Sequence, residues 1–345
     1  MGQGNVGGSK MSEEWRDALA LVWSEKWEAI IGIVSIVLAI AAGLPLPFIV
    51  FSCLAGGLLM VDLALTIRRA RRIVREKHIP VVVVVGKSDD EYRSMLSDAQ
   101  QMASRWGYDE REFDAEFDVE REDTVVHRES RLPPDPSLWK ELAGKFERKI
   151  HRIDGKLKGR RIYHLFLNCP AALALGMGST LGTRYLAMLY HWVPPYRLVV
   201  NLYQKSPPGE VKRRIEPPYE FISVERPEAL ASEMFVSLSL SAHSIRGGIE
   251  TLARQKGMPA VHIQNLYGGV LPLDADWLRV AQEVNSVLLE LIARPEVNRL
   301  HLALAAPLPL AFLIGMALGR QSLITVHHWF ADLGEYHPVL ELEKL

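Results

Sequence analysis

Hydrophobic and polar positions divide this chain into three stretches. Met1 to Lys10 is polar and glycine-rich, and Ser12 to Glu28 follows an amphipathic helical pattern carrying Trp15, Trp23 and Trp27. Ala29 to Val61 contains no charged residue. From Ile79 onward, short β-branched runs alternate with segments of helical period, which predicts a strand–helix succession. The expected strands are Ile79–Val85, a run near Phe113–Val126 at an edge, His164–Asn168, Arg197–Gln204, Met234–Leu240, Ala260–Leu266, His301–Ala305 and Pro338–Leu342. The expected helices are 89–106, 137–153, 245–255 and 274–293, with a small-residue helix after His164 and another after His301. Alternation of this kind belongs to α/β folds with parallel sheets.

The uncharged stretch is too long for one helix across a bilayer core of about 30 Å. Pro45 and Pro47 interrupt it, which divides it into two expected spans, about 29–44 and 47–67, joined by a tight turn. Arg68, Arg69, Arg71, Arg72 and Arg75 follow directly, and such a cluster stays on the cytosolic side. The tryptophans of residues 1–28 fit an interfacial belt at the near side of the first span. The expected organisation is therefore a tail and interfacial helix (1–28), a transmembrane hairpin (29–67), a basic linker (68–78) and a cytosolic α/β region (79–345). Both termini are then cytosolic, on the inner face of a cell membrane. Asp62 falls near the basic boundary, where an interfacial structural role is expected.

An internal repeat organises the α/β region. His164–Trp192 (HLFLNCPAALALGMGSTLGTRYLAMLYHW) recurs as His301–Trp329 (HLALAAPLPLAFLIGMALGRQSLITVHHW), shifted by 137 positions (164 to 301), with about 12 of 29 positions identical. Each copy reads as strand, proline, glycine-bearing helix and strand, so two pseudo-symmetric Rossmann-like halves are expected, about 79–204 and 220–345. Gly176, Gly178, Gly182, Gly315 and Gly319 are expected to bring the repeat helices close to the sheet. The proline-rich, charged segment 205–219 reads as the connector.

The formal net charge of −1 and the 23% charged residues argue against a broad basic face for duplex nucleic acid. A small anionic ligand needs only a few local donors. Cys53 and Cys169 form neither a disulfide framework nor a thiolate metal site. The chain has no GxGxxG after its first strand, no GxxxxGK[ST] and no GxSxG. His327 and His328 are neighbours on an expected strand and so point to opposite faces, which leaves them as strand residues with satisfied polar edges. No metal, cofactor or catalytic residue is implied. A weak, self-limiting nuclease at a pocket needs only positioned polar groups and remains the one enzymatic alternative.

In open parallel sheets ligands bind beyond the carboxyl ends of the strands, where helix N-termini attract phosphates. The candidate ligand-binding residues at those ends are Lys87, Ser88, Asn168, Cys169, Pro170, Tyr203 and Gln204 in the first half. In the second they are Ser241, His243, Ser244, Arg246, Ala306 and Pro307. Lys87 and Arg246 are read as phosphate partners, Tyr203 and His243 as stacking groups, and Asn168 and Gln204 as readers of base edges.

The motifs YHLFLNCPAALALGMGSTLGTR and RLVVNLYQ, followed by MFVSLSLSAHS and LHLALAAPLPLAFLIGMALG, resemble the SAVED domain ("SMODS-associated and fused to various effectors") from about Ile79 to the C-terminus. The resemblance implies two fused CARF-like Rossmann halves that bind a cyclic tri- or tetranucleotide made by a CD-NTase-type synthase. With the hairpin it implies a two-helix transmembrane effector of a CBASS antiphage system. Ligand would drive homo-oligomerisation, and the clustered hairpins would disrupt the lipid bilayer and abort infection. The alternative is a membrane-anchored sensor that recruits or regulates a separate effector enzyme.

Overall fold

The computed structural model describes Val61 and residues 76–320 and 323–345. The tail, interfacial helix, both expected spans and most of the basic linker lie outside the described residues. Among the described residues, no helix is long and apolar enough to cross a membrane.

Two sheets carry the α/β region. In the first, β1 (Lys77–Val85) is followed by α1 (Asp89–Ser104), α2 (Glu110–Phe117), β2 (Val125–Arg128) and α3 (Pro136–Lys156). Then come β3 (Arg161–Asn168), α4 (Ala171–Leu181), β4 (Leu186–His191) and β5 (Arg197–Asn201). The sheet order is β2-β1-β3-β4-β5. The second half adds β6 (Ile222–Glu225), then runs β7 (Glu233–Ser239), α5 (Arg246–Lys256), β8 (Ala260–Asn265), α6 (Trp277–Ile292), β9 (Arg299–Ala305), α7 (Leu308–Leu318), β10 (Ile324–Phe330) and β11 (Glu335–Glu341). Its order, β11-β10-β9-β7-β8-β6, is the first sheet's order with one added edge strand. Both strand orders reverse beside the first strand of their half, between β1 and β3 and between β7 and β9.

The repeat runs further than its identities suggest. α4 and α7 begin after Pro170 and Pro307 with matching backbone angles and end at Gly182 and Gly319, where φ is +60° and +64°. Positive φ there suits glycine and closes both helices at the same turn. β4–β5 and β10–β11 are both antiparallel, and their registers shift at equivalent places, Leu189/Tyr190 and Val326/His327.

α4 and α7 are apolar on every side and buried along their length, because they lie between the two sheets. At Gly178 and Gly315 they meet each other rather than a sheet. A Cβ at Gly178 would overlap the carbonyl oxygen of Phe312, and one at Gly315 that of Leu175. The two glycines are 137 positions apart, as are the two residues they meet. Only Gly176 follows the sheetward expectation, facing Leu340 of β11.

One apolar core joins the inner sheet faces to α3, α4, α6 and α7. Two further clusters cover the outer faces, Val82, Leu96, Phe166 and Tyr190 under α1, and Phe235, Ile249, Ala253 and Ala303 under α5. A second reciprocal contact ties the halves together. Trp139 of α3 packs on His328 at 5.1 Å, and Trp277 of α6 packs on His191 at 5.3 Å. Each indole N–H donates to a proline carbonyl of its own loop, Pro133 at 2.8 Å and Pro272 at 2.9 Å.

Two of the expected strands also change. The acidic stretch expected to hold an edge strand forms α2 first, capped by Asp109, and the strand is confined to Val125–Arg128. Arg197–Gln204 is not a buried parallel strand. It is an antiparallel edge, exposed at Arg197 and Leu198, and it ends at Asn201.

Candidate functional site

Helix capping separates the helices into two groups. Ser88 caps α1 in a reciprocal capping box with Glu91, and Asp109, Asp135 and Asp276 cap α2, α3 and α6. The N-cap residues of α4, α5 and α7 are Pro170, Ile245 and Pro307, none of which makes a side-chain capping bond. These three helices follow β3, β7 and β9, the strands at or beside the two points where strand order reverses. Their first-turn N–H groups are the ones a bound anion can satisfy.

Asn168, Cys169 and Pro170 form the step from β3 into α4, and Ala306 and Pro307 the equivalent step from β9 into α7. Asn168 is half-buried, with its amide nitrogen 3.1 Å from the Met95 sulfur. Burial pushes the Cys169 thiol up to about 12, so it stays protonated and acts as a small apolar group. In α7, Pro309 removes one first-turn donor, so α4 offers the fuller set of amides.

Lys87 and Ser88 also stand at this edge, but both are engaged locally. Lys87 Nζ lies 3.1 Å from Glu91 Oε1, and Ser88 is the α1 cap. In the second half Ser241, His243 and Ser244 form the exposed turn after β7. Ser241 Oγ accepts from the His243 N–H at 3.5 Å, and Ser244 Oγ accepts from the Arg246 N–H at 3.4 Å. Arg246 opens α5 with its guanidinium held by Glu225 and Glu250, and these carboxylates hold its pKa above the usual arginine range. A phosphate at α5 would compete with two carboxylates for that cation.

Tyr203 and Gln204 are not brought to this edge. β5 runs antiparallel to β4, pairing Asn201 with Met188, so the residues after β5 return to the end where the parallel strands begin. There the Tyr203 ring lies 5.9 Å from His78 at the start of β1, and the Tyr203 and Gln204 N–H groups donate to Asn201 Oδ1. Reading β5 as parallel placed them wrongly.

Sequence reasoning missed two features near the strand ends. The loop from β8 to α6 exposes Leu266, Tyr267, Val270 and Leu273. The reciprocal Trp139–His328 and Trp277–His191 contacts fix the α3 and α6 N-termini. The signal for them was a spaced Pro, Asp and Trp in both halves (133, 135, 139 and 272, 276, 277). The satisfied polar edges expected of His327 and His328 also need revision, since His327 Nδ1 is buried without a partner.

Residues 193–342 match the sequence model of the SAVED (SMODS-associated and fused to various effectors) sensor domain. Among solved structures, the chain is similar to an Acinetobacter baumannii Cap4 SAVED/CARF-domain containing receptor with the cyclic trinucleotide 2'3'3'-cAAA, at 15% identity and a TM-score of 0.51. The same receptor with 3'3'3'-cAAA gives 14% identity and a TM-score of 0.51. In each case the match covers 86% of this chain and 61% of the receptor, so the chain spans less than two thirds of the receptor's length. At this identity the likeness is one of fold, and it takes in both halves. No curated protein matches the chain in sequence.

Proposed function

We propose that the chain is a membrane-anchored sensor of a cyclic tri- or tetranucleotide, acting as the effector of a CBASS-type antiphage system. The observation that carries this reading is the pseudo-symmetric pair of uncapped helices, α4 and α7, at the strand ends of a fold similar to receptors solved with cyclic trinucleotides. A cyclic oligonucleotide presents one phosphate per nucleotide around a ring, and two pseudo-symmetric helix N-termini suit charge distributed in that way. The exposed His243 and Tyr267, which follow the carboxyl ends of β7 and β8, are the stacking groups of this reading. The ligand comes from a CD-NTase-type synthase. Its binding drives self-association, and the hairpin at residues 29–67, on the inner membrane, then disrupts the bilayer. No catalytic step is part of this reading.

Calorimetric titration of the full chain with cyclic di-, tri- and tetranucleotides tests the sensing step, with saturable binding expected for a tri- or tetranucleotide. Absence of binding across the whole set overturns it. Dye release from liposomes carrying the chain, on addition of the ring that binds, tests the membrane step. Intact liposomes reject bilayer disruption and favour the alternative, a sensor that recruits a separate effector enzyme. That alternative draws on the exposed apolar side chains of the β8–α6 loop, which suit a protein partner. Recovery of a linearised ring after incubation would show hydrolysis and require a catalytic reading.

A further inference from the structure

The outer faces of the two sheets come from the same repeat and end differently. In the first half Ile162, Phe166, Met188 and Tyr190 form the outer cluster, with Trp106 packed against it. The residues 137 positions later are Arg299, Ala303, Thr325 and His327. Each replacement is smaller or more polar. α5 has 11 residues where α1 has 16, so it covers less of its sheet. Beside it lies an open cavity of about 760 Å³, whose lining includes Phe235, Lys256, His301, His327 and Tyr336. That volume falls in the range of small-ligand sites.

A short polar chain ends in this cavity. Glu233 Oε2 lies 3.0 Å from His301 Nε2, and His301 Nδ1 lies 3.1 Å from His327 Nε2. A carboxylate only accepts, so His301 Nε2 carries the proton. With both rings neutral, His301 Nδ1 accepts from the His327 Nε2–H, which leaves a lone pair on His327 Nδ1. His327 is only 8% exposed, and that nitrogen has no partner. Burial, with the neighbouring His301, His337 and Lys256, holds the His327 pKa down to about 3, so the ring is neutral.

The first half shows how the corresponding place is filled. The Tyr190 hydroxyl meets His164 Nδ1 at 2.8 Å, as His327 Nε2 meets His301 Nδ1, and it is also hydrogen-bonded to Trp106. That indole also stacks on His78 at 5.6 Å and lies 6.1 Å from His164, the counterpart of His301. Among the described residues no indole stands in the corresponding place beside His327. Lys256, on the lining and exposed, has no ion-pair partner among the described residues.

We infer that this cavity is a second ligand site, for a planar heteroaromatic anion whose ring N–H donates to His327 Nδ1, whose ring packs on Phe235 and Tyr336, and whose acidic group lies against Lys256. The inference does not depend on the strand-end site. The test titrates the full chain with indole-3-acetate and with naphthalene-1-acetate, which keeps the shape and the acid but lacks the ring N–H. Saturable binding of indole-3-acetate is expected, about tenfold tighter than naphthalene-1-acetate, the worth of one buried hydrogen bond. His327→Phe should remove that preference, and Lys256→Ala should weaken both acids equally. Rebuilding the first half's wall with Ala303→Phe and Thr325→Met should abolish binding while leaving cyclic-nucleotide titrations unchanged. A parallel titration with guanosine monophosphate distinguishes a phosphate from a carboxylate as the preferred anion. No saturable binding of either anion, equal affinity for the two acetates, or unchanged binding in the filled variant overturns the proposal. The comparison of the two acetates uses the unaltered chain, so it decides the matter even where a variant misfolds.

Discussion

In the first half the outer sheet face is closed by Trp106, with His78, His164 and Tyr190 joined beneath it. In the second half the same face is hollow, with His301 and His327 at its floor. The inner side does not differ in this way. Gly178 and Gly315, Trp139 and Trp277, and His191 and His328 make the same contacts in mirrored roles. The difference follows from geometry. A residue at the crossing meets its own counterpart's neighbourhood, so one substitution disturbs both copies, whereas an outer-face residue meets only its own half and can change alone.

The reciprocal contacts should therefore fail alike in both halves. Trp139→Ala and Trp277→Ala each remove a fully buried indole and should cost about 3–5 kcal/mol, measured by urea denaturation followed by circular dichroism. A large cost at one site and almost none at the other would break the symmetry claim. Gly178→Ala and Gly315→Ala press a methyl against a backbone carbonyl that cannot turn aside, and each should cost about 2–3 kcal/mol. The double variant should cost less than the sum, because one separation of the helices relieves both overlaps.

The buried imidazoles extend the comparison to the outer faces. Burial holds His164 and His327 each down to about 3. The unfolded chain binds these protons near the ordinary histidine value and the native chain does not. Stability is therefore complete above about pH 6.5 and falls as pH drops toward the folded values. Between about pH 7 and pH 5 each histidine should cost about 2 kcal/mol, and His164→Gln or His327→Gln should flatten the slope by one proton. A slope unchanged by one of them would show that its half is less well sealed than the other.

The smallest stability effect carries the sharpest functional contrast. Pro170→Asp or Pro307→Asp supplies the missing helix cap and should raise stability by about 1 kcal/mol. The same carboxylate occupies the amides proposed for phosphate, so cyclic-nucleotide affinity should fall about tenfold or more. Stronger binding by either variant would remove that helix from the ligand site.

The shift of 137 positions made the two halves legible, because identities at prolines, glycines and the His-Trp pairs survive where both copies are held. Strand direction at the edges was not legible. Arg197–Gln204 has a central apolar run, Leu198–Val200, like that of a buried strand, and only the sharp return at Trp192–Tyr196 turns it antiparallel, which carried Tyr203 and Gln204 to the wrong end. The role of Gly178 was half legible, since small residues announce a close approach without saying to what. The Trp139–His328 contact links positions in different halves, and the Pro, Asp and Trp that recur in both halves mark the helix start without saying which residue the indole meets. For the candidate site, the strand-end steps at Asn168–Pro170 and Ala306–Pro307 follow from the pattern. The engagement of Lys87 by Glu91 and of Arg246 by Glu225 and Glu250 depends on side-chain packing.

The step into α4 is Asn-Cys-Pro, and the step into α7 is Ala-Ala-Pro. A dimer of identical chains would present the same wall twice and accept a ring equally in either of two orientations. Joining both copies in one polypeptide removes that degeneracy. On the proposed reading, a ring whose linkages are not all alike would then have a single preferred way to lie, and the chain would tell such a ring from its symmetric isomer.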